Sequence, residues 1–188
     1  VKTEAGKLAT HIPEAKKYKI TELKVTGEIN GTDILLLRQM AGKGLKEDDR
    51  TEGKLTSLDL SDVRIVEEGE NYCAIKQGLS TKFYKPTEKD AIPPYMFYRL
   101  NQLTKIQLPA SIKKIDKFAL TGCTALTECT IPESVTSIGD YAFASCEKLT
   151  TMTFPSALGE IGAHVFEGCS ALTTLSEFPQ TLTDIGEN

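Results

Sequence analysis

Between Pro109 and Phe178 one pattern of residues is written three times. It reads PASIKKIDKFALTGCTALTECTI from Pro109, PESVTSIGDYAFASCEKLTTMTF from Pro132 and PSALGEIGAHVFEGCSALTTLSEF from Pro155, and Pro179 opens a partial fourth copy, PQTLTDIGEN. The four prolines are 23, 23 and 24 residues apart. A period of that length marks an array of supersecondary units, each of which finds its core by stacking on its neighbours. It implies a solenoid and argues against a closed globule.

The columns of the repeat show which side chains point inward. Ile112, Val135, Leu158 and Leu182 form one column, and Ile115, Ile138, Ile161 and Ile185 another. Ala119, Ala142 and Val165, then Leu120, Phe143 and Phe166, then Cys123, Cys146 and Cys169, then Leu126, Leu149 and Leu172 keep the same register. Each unit ends in alternation, as in Leu103-Thr-Lys-Ile106-Gln-Leu108, which predicts a short strand with one buried face. Stacked strands of this kind form a parallel sheet with rungs ~4.8 Å apart. Asp140 to Cys146 keeps apolar residues three or four apart, predicting one or two helical turns. Gly139 and Gly162 precede that segment and are read as supplying backbone freedom to a turn. The expected fold class is an α/β solenoid: repeats of 23 residues, a parallel sheet of short strands, short helices on the other side and an N-terminal α/β cap.

Ahead of the array, Glu4 to Ile12 reads as a short amphipathic helix ended by Pro13, and Ile20 to Val25 alternates like the later strands. Asn30 to Met40 reads as a helix with Thr32 at its cap and Gly42 after its end. An open solenoid exposes the core of its first coil unless something covers it. Residues 1–54 are therefore read as a helical cap with a first strand, and 55–188 as the solenoid. Lys43 to Lys54 reads as a solvated polar loop that lacks the closing Glu of a calcium-binding loop. Leu55 to Leu60 matches Leu103 to Leu108 across 48 residues, two more than a pair of repeats, so an irregular coil is placed at 61–91. Within it, Asn71 to Ile75 and Ser80 to Tyr84 around Gly78 predict a hairpin. Regular repeats follow at 86–108, 109–131, 132–154 and 155–178, with a partial one at 179–188.

The run SVTSIGDYAFASCEKLTTMTFP, residues 134–155, closely resembles the BspA-type leucine-rich repeat of bacterial cell-surface proteins. The resemblance extends over residues 86–188. From Ile20 to Gly42 the leader is similar to one that such proteins carry, ITxLxVTGxINGTDIxxLRxMAG. The repeat that opens at Pro109 departs from the pattern, with Leu120 in the Phe column and Asp116 in the Gly column. The resemblance implies a secreted or surface-anchored bacterial protein that works by non-covalent attachment, and the family is associated with host extracellular-matrix proteins. It implies no particular ligand.

Charge and chemistry narrow the function further. A net charge of −4 offers no basic footprint for nucleic acid. No apolar run is long enough for a transmembrane helix, the densest being Ile34 to Leu37. Val1 opens the chain without a visible secretory signal, which is read as the removal of a targeting segment. The repeat cysteines are read as buried thiols acting as small hydrophobes, with a disulfide between adjacent rungs as the alternative and metal binding as a third reading. His11 and His164 are the only histidines, and no phosphate-cradling loop, nucleophile elbow or metal triad is present. No catalytic residue, cofactor or metal is expected.

A binding surface is the alternative to catalysis, and two are available. The exposed face of the predicted sheet carries Lys105, Gln107, Glu128, Thr130, Thr151, Thr153 and Thr174, which either recognise a ligand or reflect the preference of strands for β-branched residues. The irregular coil carries Tyr72, Phe83, Tyr84, Tyr95 and Tyr98, which either form an exposed aromatic patch or pack beneath the hairpin. The expected partner is a protein or glycan, and the expected function is adhesion. A structural spacer presenting another domain is the second reading. The stop at Asn188, part way through a coil, is read as pointing to a missing continuation or to a dimer through the open C-terminal coil.

Overall fold

In the computed structural model, which describes residues 1–187, the repeats stack in register and each rung has three faces. Asn188, the last residue of the partial repeat, lies outside the described residues. The first face is a parallel sheet that begins in the leader: Lys2–Thr3 pairs with Glu22–Ile29, then follow Ser57–Ile65, Lys105–Gln107 and Glu128–Thr130. Thr151–Met152 and Thr174–Leu175 pair beyond them. Alternation sets the orientation, since Leu23, Leu58, Ile106 and Cys129 align in register and point inward while their neighbours face solvent.

The second face is also a parallel sheet, where the sequence led us to expect only one. Ala91–Ile92, Lys114–Ile115, Ser137–Ile138, Glu160–Ile161 and Asp184–Ile185 form it, with Ile92, Ile115, Ile138 and Ile161 buried in one column. Two-residue strands are too short to show a period of two, so the isoleucine column was legible but its strand was not.

The third face corrects the expectation of short helices. Segments such as 116–126 are chains of turns, with Ala119 N donating to Asp116 O, Cys123 N to Leu120 O and Leu126 N to Cys123 O, each three residues back. Left-handed residues interrupt each segment: Tyr95, Phe118, Tyr141 and His164 have φ between 55° and 62°. Their rings stack, Tyr95 on Phe118 at 5.0 Å, Phe118 on Tyr141 at 5.1 Å and Tyr141 on His164 at 4.8 Å. The αL conformation costs a non-glycine residue ~1–2 kcal/mol, and stacked aromatic pairs return ~0.5–1.5 kcal/mol each. Turned sideways in this way, the backbone donates to the next rung. Phe118, Leu120 and Gly122 N–H groups bond Asp140, Ala142 and Ala144 carbonyls at 2.8–2.9 Å, and Phe143 and Ser145 repeat this to Val165 and Glu167.

The glycine column serves close approach and has no φ requirement, which corrects the turn reading of Gly139 and Gly162. Neither has a positive φ, but a Cβ on Gly139 would lie 2.6 Å from Lys117 N, and one on Gly162 would lie 2.5 Å from Asp140 N. Threonine adds a further rung-to-rung bond: the hydroxyls of Thr56, Thr104 and Thr127 donate to Thr21, Thr56 and Thr104 carbonyls at 3.0–3.1 Å. These bonds carry the leader into the same stack as the repeats.

The leader helix Gly31–Met40 is capped by Asn30, whose side chain accepts from Thr32 N at 3.0 Å; Thr32 is not the cap expected from its hydroxyl. Buried Asp33 accepts from Gly6 N at 2.6 Å, Leu8 N at 2.9 Å and Asn30 N at 3.1 Å, so one carboxylate ties the first turn of this helix to the short helix Leu8–His11. The polar stretch after the helix is partly internal: Lys43 is buried and donates to Glu47 O at 3.1 Å.

Candidate binding surfaces

On the outward face of the first sheet, Lys105, Gln107, Glu128, Thr130, Thr151, Thr153 and Thr174 are all exposed. They stand in rows, because Lys105 aligns with Glu128, Gln107 with Thr130 and Thr151 with Thr174. Their charges are spent on one another. Lys105 Nζ lies 2.6 Å from Glu128 Oε2, and at the leader end Lys24 reaches Asp59 at 3.1 Å and Asp62 at 2.8 Å. Hydrogen bonds donated to Asp62 and Asp59 raise the Lys24 amine, and the one donated to Glu128 raises that of Lys105, so both ammonium groups are held in their charged form. Gln107, oriented with its nitrogen toward Asp59, donates to both carboxylate oxygens at 3.1 Å. From Thr130 to Thr174 the face is hydroxyl, so there it offers hydrogen bonds and no charge.

The aromatic patch expected in the irregular coil is corrected at three positions. Tyr72, Tyr84 and Tyr95 are buried, and only Phe83, at 51% exposure, is presented to solvent. Tyr84 packs on Tyr95 with ring centroids 4.5 Å apart, and so begins the aromatic column that ends at His164. Tyr98 is half-buried and donates to Glu47 Oε1 at 3.2 Å, the same carboxylate that Arg99 engages at 2.9 Å. Burial pushes the Tyr72, Tyr95 and Tyr98 hydroxyls above the ordinary tyrosine value.

Tyr72 has a definite task, shared with Arg38. In every later rung, carbonyls of the third face accept N–H groups from the rung before, but the coil at 94–99 has no such rung before it. Tyr72 donates its hydroxyl to Pro94 O at 2.6 Å, and Arg38 Nη1 donates to Met96 O at 3.1 Å and Tyr98 O at 3.3 Å. These carbonyls lie 22 residues after 72, 74 and 76, the spacing by which Phe97 bonds Ala119 and Phe118 bonds Asp140. Arg38 also donates to Tyr95 O at 3.1 Å, and its Nε is left without a partner. Two side chains thus replace a missing strand of donors. Arg38 lies inside the segment Asn30 to Met40 that reads as a helix, yet no sequence signal connects it with a coil some 60 residues onward.

No site assembles around the histidines or thiols. His164 Nδ1 lies 3.2 Å from Glu167 Oε2 on the surface, and its ring is the last of the stacked column. All five cysteines are free thiols. Those of the repeat face inward and donate to the carbonyl 26 residues back, Cys123 to Phe97 at 3.1 Å, Cys146 to Leu120 at 3.4 Å and Cys169 to Phe143 at 3.1 Å. Burial pushes the Cys123 thiol up to about 12, the opposite of what activates a nucleophile. Among the described residues, no three His, Cys, Asp or Glu side chains are grouped to hold a metal, and no helix is long and apolar enough to cross a membrane.

Comparison with known proteins agrees with this geometry. Residues 76–188 match the family described as BspA type leucine rich repeat region, in six copies. No curated protein matches the chain. Among solved structures it is similar to the T. pallidum leucine rich repeat protein, at 32% identity over 51% of this chain and 44% of that one, with a TM-score of 0.48. A leucine-rich repeat protein from Bacteroides ovatus is 27% identical over 60% of this chain and 28% of that one, with a TM-score of 0.47. One from Eubacterium ventriosum is 14% identical over 97% of this chain and 71% of that one, with a TM-score of 0.40. The chain thus spans less than half the length of the first two. Proteins built on this repeat are typically secreted or displayed at the bacterial surface and are generally non-catalytic interaction scaffolds. By its repeat columns and by the match over residues 76–188, the chain belongs to the BspA-type leucine-rich-repeat family.

Proposed function

We propose that the protein is a non-catalytic adhesion module, displayed at the bacterial surface or secreted, that binds a protein or glycan through the outward face of its first sheet. One observation carries the reading: Lys105, Gln107, Glu128, Thr130, Thr151, Thr153 and Thr174 are exposed in rows whose spacing is set by the rungs. Backbone hydrogen bonding therefore positions these groups before any partner arrives, which lowers the entropic cost of binding. Hydroxyls and internally paired charges suit a polar, hydrogen-bonding partner. The test is binding to arrays of immobilised matrix proteins and glycans, with Glu128→Ala, Thr130→Ala and Thr153→Ala combined. Loss of binding in the combined variant, with unchanged stability, supports the reading; binding that survives it overturns the assignment of the face.

A second reading, a spacer that presents another domain, is favoured by what the same face lacks. Lys105 spends its charge on Glu128, and no aromatic or arginine anchor stands in the rows. A chain that unfolds cooperatively yet binds nothing on the arrays would favour the spacer.

A further inference from the structure

The hairpin made by Cys73–Gln77 and Ser80–Tyr84 forms a two-stranded sheet of its own, outside the stacked sheets. Its base is clamped. Tyr72 N donates to Tyr84 O at 2.9 Å, Ala74 N donates to Leu45 O at 2.8 Å, and Tyr84 packs on Tyr95. Its distal half, from Lys76 to Phe83, is exposed throughout, with Leu79 at the tip fully in solvent.

The outer strand Ser80–Tyr84 pairs only with Cys73–Gln77, so its far edge is open. Ala74 turns its N–H away from the hairpin toward Leu45, and in an antiparallel pair its opposite residue, Phe83, turns its own N–H and C=O outward as well. Thr81, two residues on, does the same. The side chains along this edge alternate. Thr81, Phe83 and Lys85 lie on one side, and Ser80 and Lys82 on the other.

From Asn71 to Lys85 every charged residue is a lysine. The chain carries −4, yet among the described residues none of Lys76, Lys82, Lys85 and Lys89 has a carboxylate within 4.0 Å. A lysine on an edge strand by itself blunts unwanted pairing. Exposed Phe83 and Leu79 do the reverse, since apolar groups beside an open edge invite a partner.

We infer that this hairpin is a strand-addition site for an acidic, extended segment of a partner protein. The segment would pair its backbone with Thr81 and Phe83, set an apolar residue beside Phe83 on one side and place Asp or Glu against Lys82 on the other. Its sequence would therefore alternate apolar and acidic residues. The site is separate from the sheet face above, and its failure would leave that reading untouched.

The test measures fluorescence anisotropy of the full chain with a labelled peptide of alternating valine and glutamate, beside one of the same composition in block order. Thr81→Pro removes the outward N–H at a position where an edge strand tolerates proline and no hairpin bond is lost. Lys82→Glu with Lys85→Glu reverses the charge. The alternating peptide should bind at least about tenfold more tightly than the block peptide, a step of ~1.4 kcal/mol. Thr81→Pro and the charge reversal should each abolish that difference with unchanged melting temperature. Equal binding of the two peptides would overturn strand addition in favour of simple charge attraction. Binding to mixed phosphatidylcholine and phosphatidylserine vesicles that survives Thr81→Pro would assign the edge to a membrane and overturn the proposal. A dimer of the parent chain that Thr81→Pro dissolves would assign it to a second copy and overturn it equally.

Discussion

Arg38 Nη1 lies 3.1 Å from the carbonyl oxygen of Met96, and that bond ends a ladder which every later rung continues with backbone N–H groups. The guanidinium is buried and has no carboxylate partner, and desolvation lowers its proton affinity. Such a group persists only because the carbonyls of the first coil have no other donor. Arg38→Met should therefore destabilise the chain although it removes a buried charge. Leaving buried carbonyls unsatisfied costs ~1–3 kcal/mol each, so a loss of about 3 kcal/mol is expected by urea denaturation. Arg38→Lys should not restore it, because an ammonium on a flexible stem cannot reach the same oxygens in a planar fork.

Tyr72→Phe isolates the other end cap. It keeps the ring and removes only the hydroxyl that donates to Pro94 O at 2.6 Å. The expected loss is about 1–2 kcal/mol, in the range of one buried hydrogen bond. A change below about 0.5 kcal/mol would mean that Pro94 O finds another donor.

The glycine column gives a paired prediction. At Gly162 an added Cβ would lie 2.5 Å from Asp140 N, so Gly162→Ala must push two rungs apart, whereas at Gly159 the nearest atom, Thr136 O, is 3.6 Å away. Gly162→Ala should cost 2 kcal/mol or more, at the scale of ~1–3 kcal/mol for overpacking. Gly159→Ala should be neutral or stabilise by up to ~1 kcal/mol through the unfolded chain. Thermal melts of the two variants distinguish close approach from backbone freedom, since freedom alone would give them similar values.

What was legible in the sequence follows from what a column can encode. Ile115, Ile138 and Ile161 repeat at a fixed spacing, so their shared interior was readable, and in the second sheet they align in register. The left-handed backbone at Phe118 and Tyr141 was not readable, because an aromatic residue with positive φ violates local preference and is sustained by its stacked neighbours. The column of Thr56, Thr104 and Thr127 was not readable either. Its hydroxyl bonds from Thr56 to Thr21 and from Thr104 to Thr56 cross 35 and 48 residues, outside the regular period. The binding aromatics were misplaced for a related reason. Tyr72, Tyr84 and Tyr95 cap and extend the stack, and an irregular segment has no register to show which way they point.

Asp33 makes the leader testable as part of the fold. Its carboxylate accepts three backbone N–H groups, from Gly6, Leu8 and Asn30, at 2.6–3.1 Å. Asp33→Ala strands two of them at the start of the short helix Leu8–His11, so loss of protection should concentrate in residues 1–12. Hydrogen exchange should show that segment opening before the repeats do. Global stability should fall by about 1–3 kcal/mol, because Leu8 leaves the core with the segment it anchors.

The cysteine column predicts an alkaline limit to stability. Cys123 is protonated in the folded protein up to about 12, because burial disfavours the thiolate. In the unfolded chain a cysteine titrates near ~8.5. Between those values the unfolded state holds fewer protons than the folded one, so stability falls as pH rises. The contribution is fully present below pH ~8.5 and declines by at most ~1.4 kcal/mol per pH unit for one such thiol. Cys123→Ala removes the titration while leaving a small cavity, so the variant should be less stable than the parent at pH 7 and show a shallower decline from pH 9 to 11. Urea midpoints across that range are the measurement. Parallel curves for parent and variant would mean that other groups set the alkaline limit.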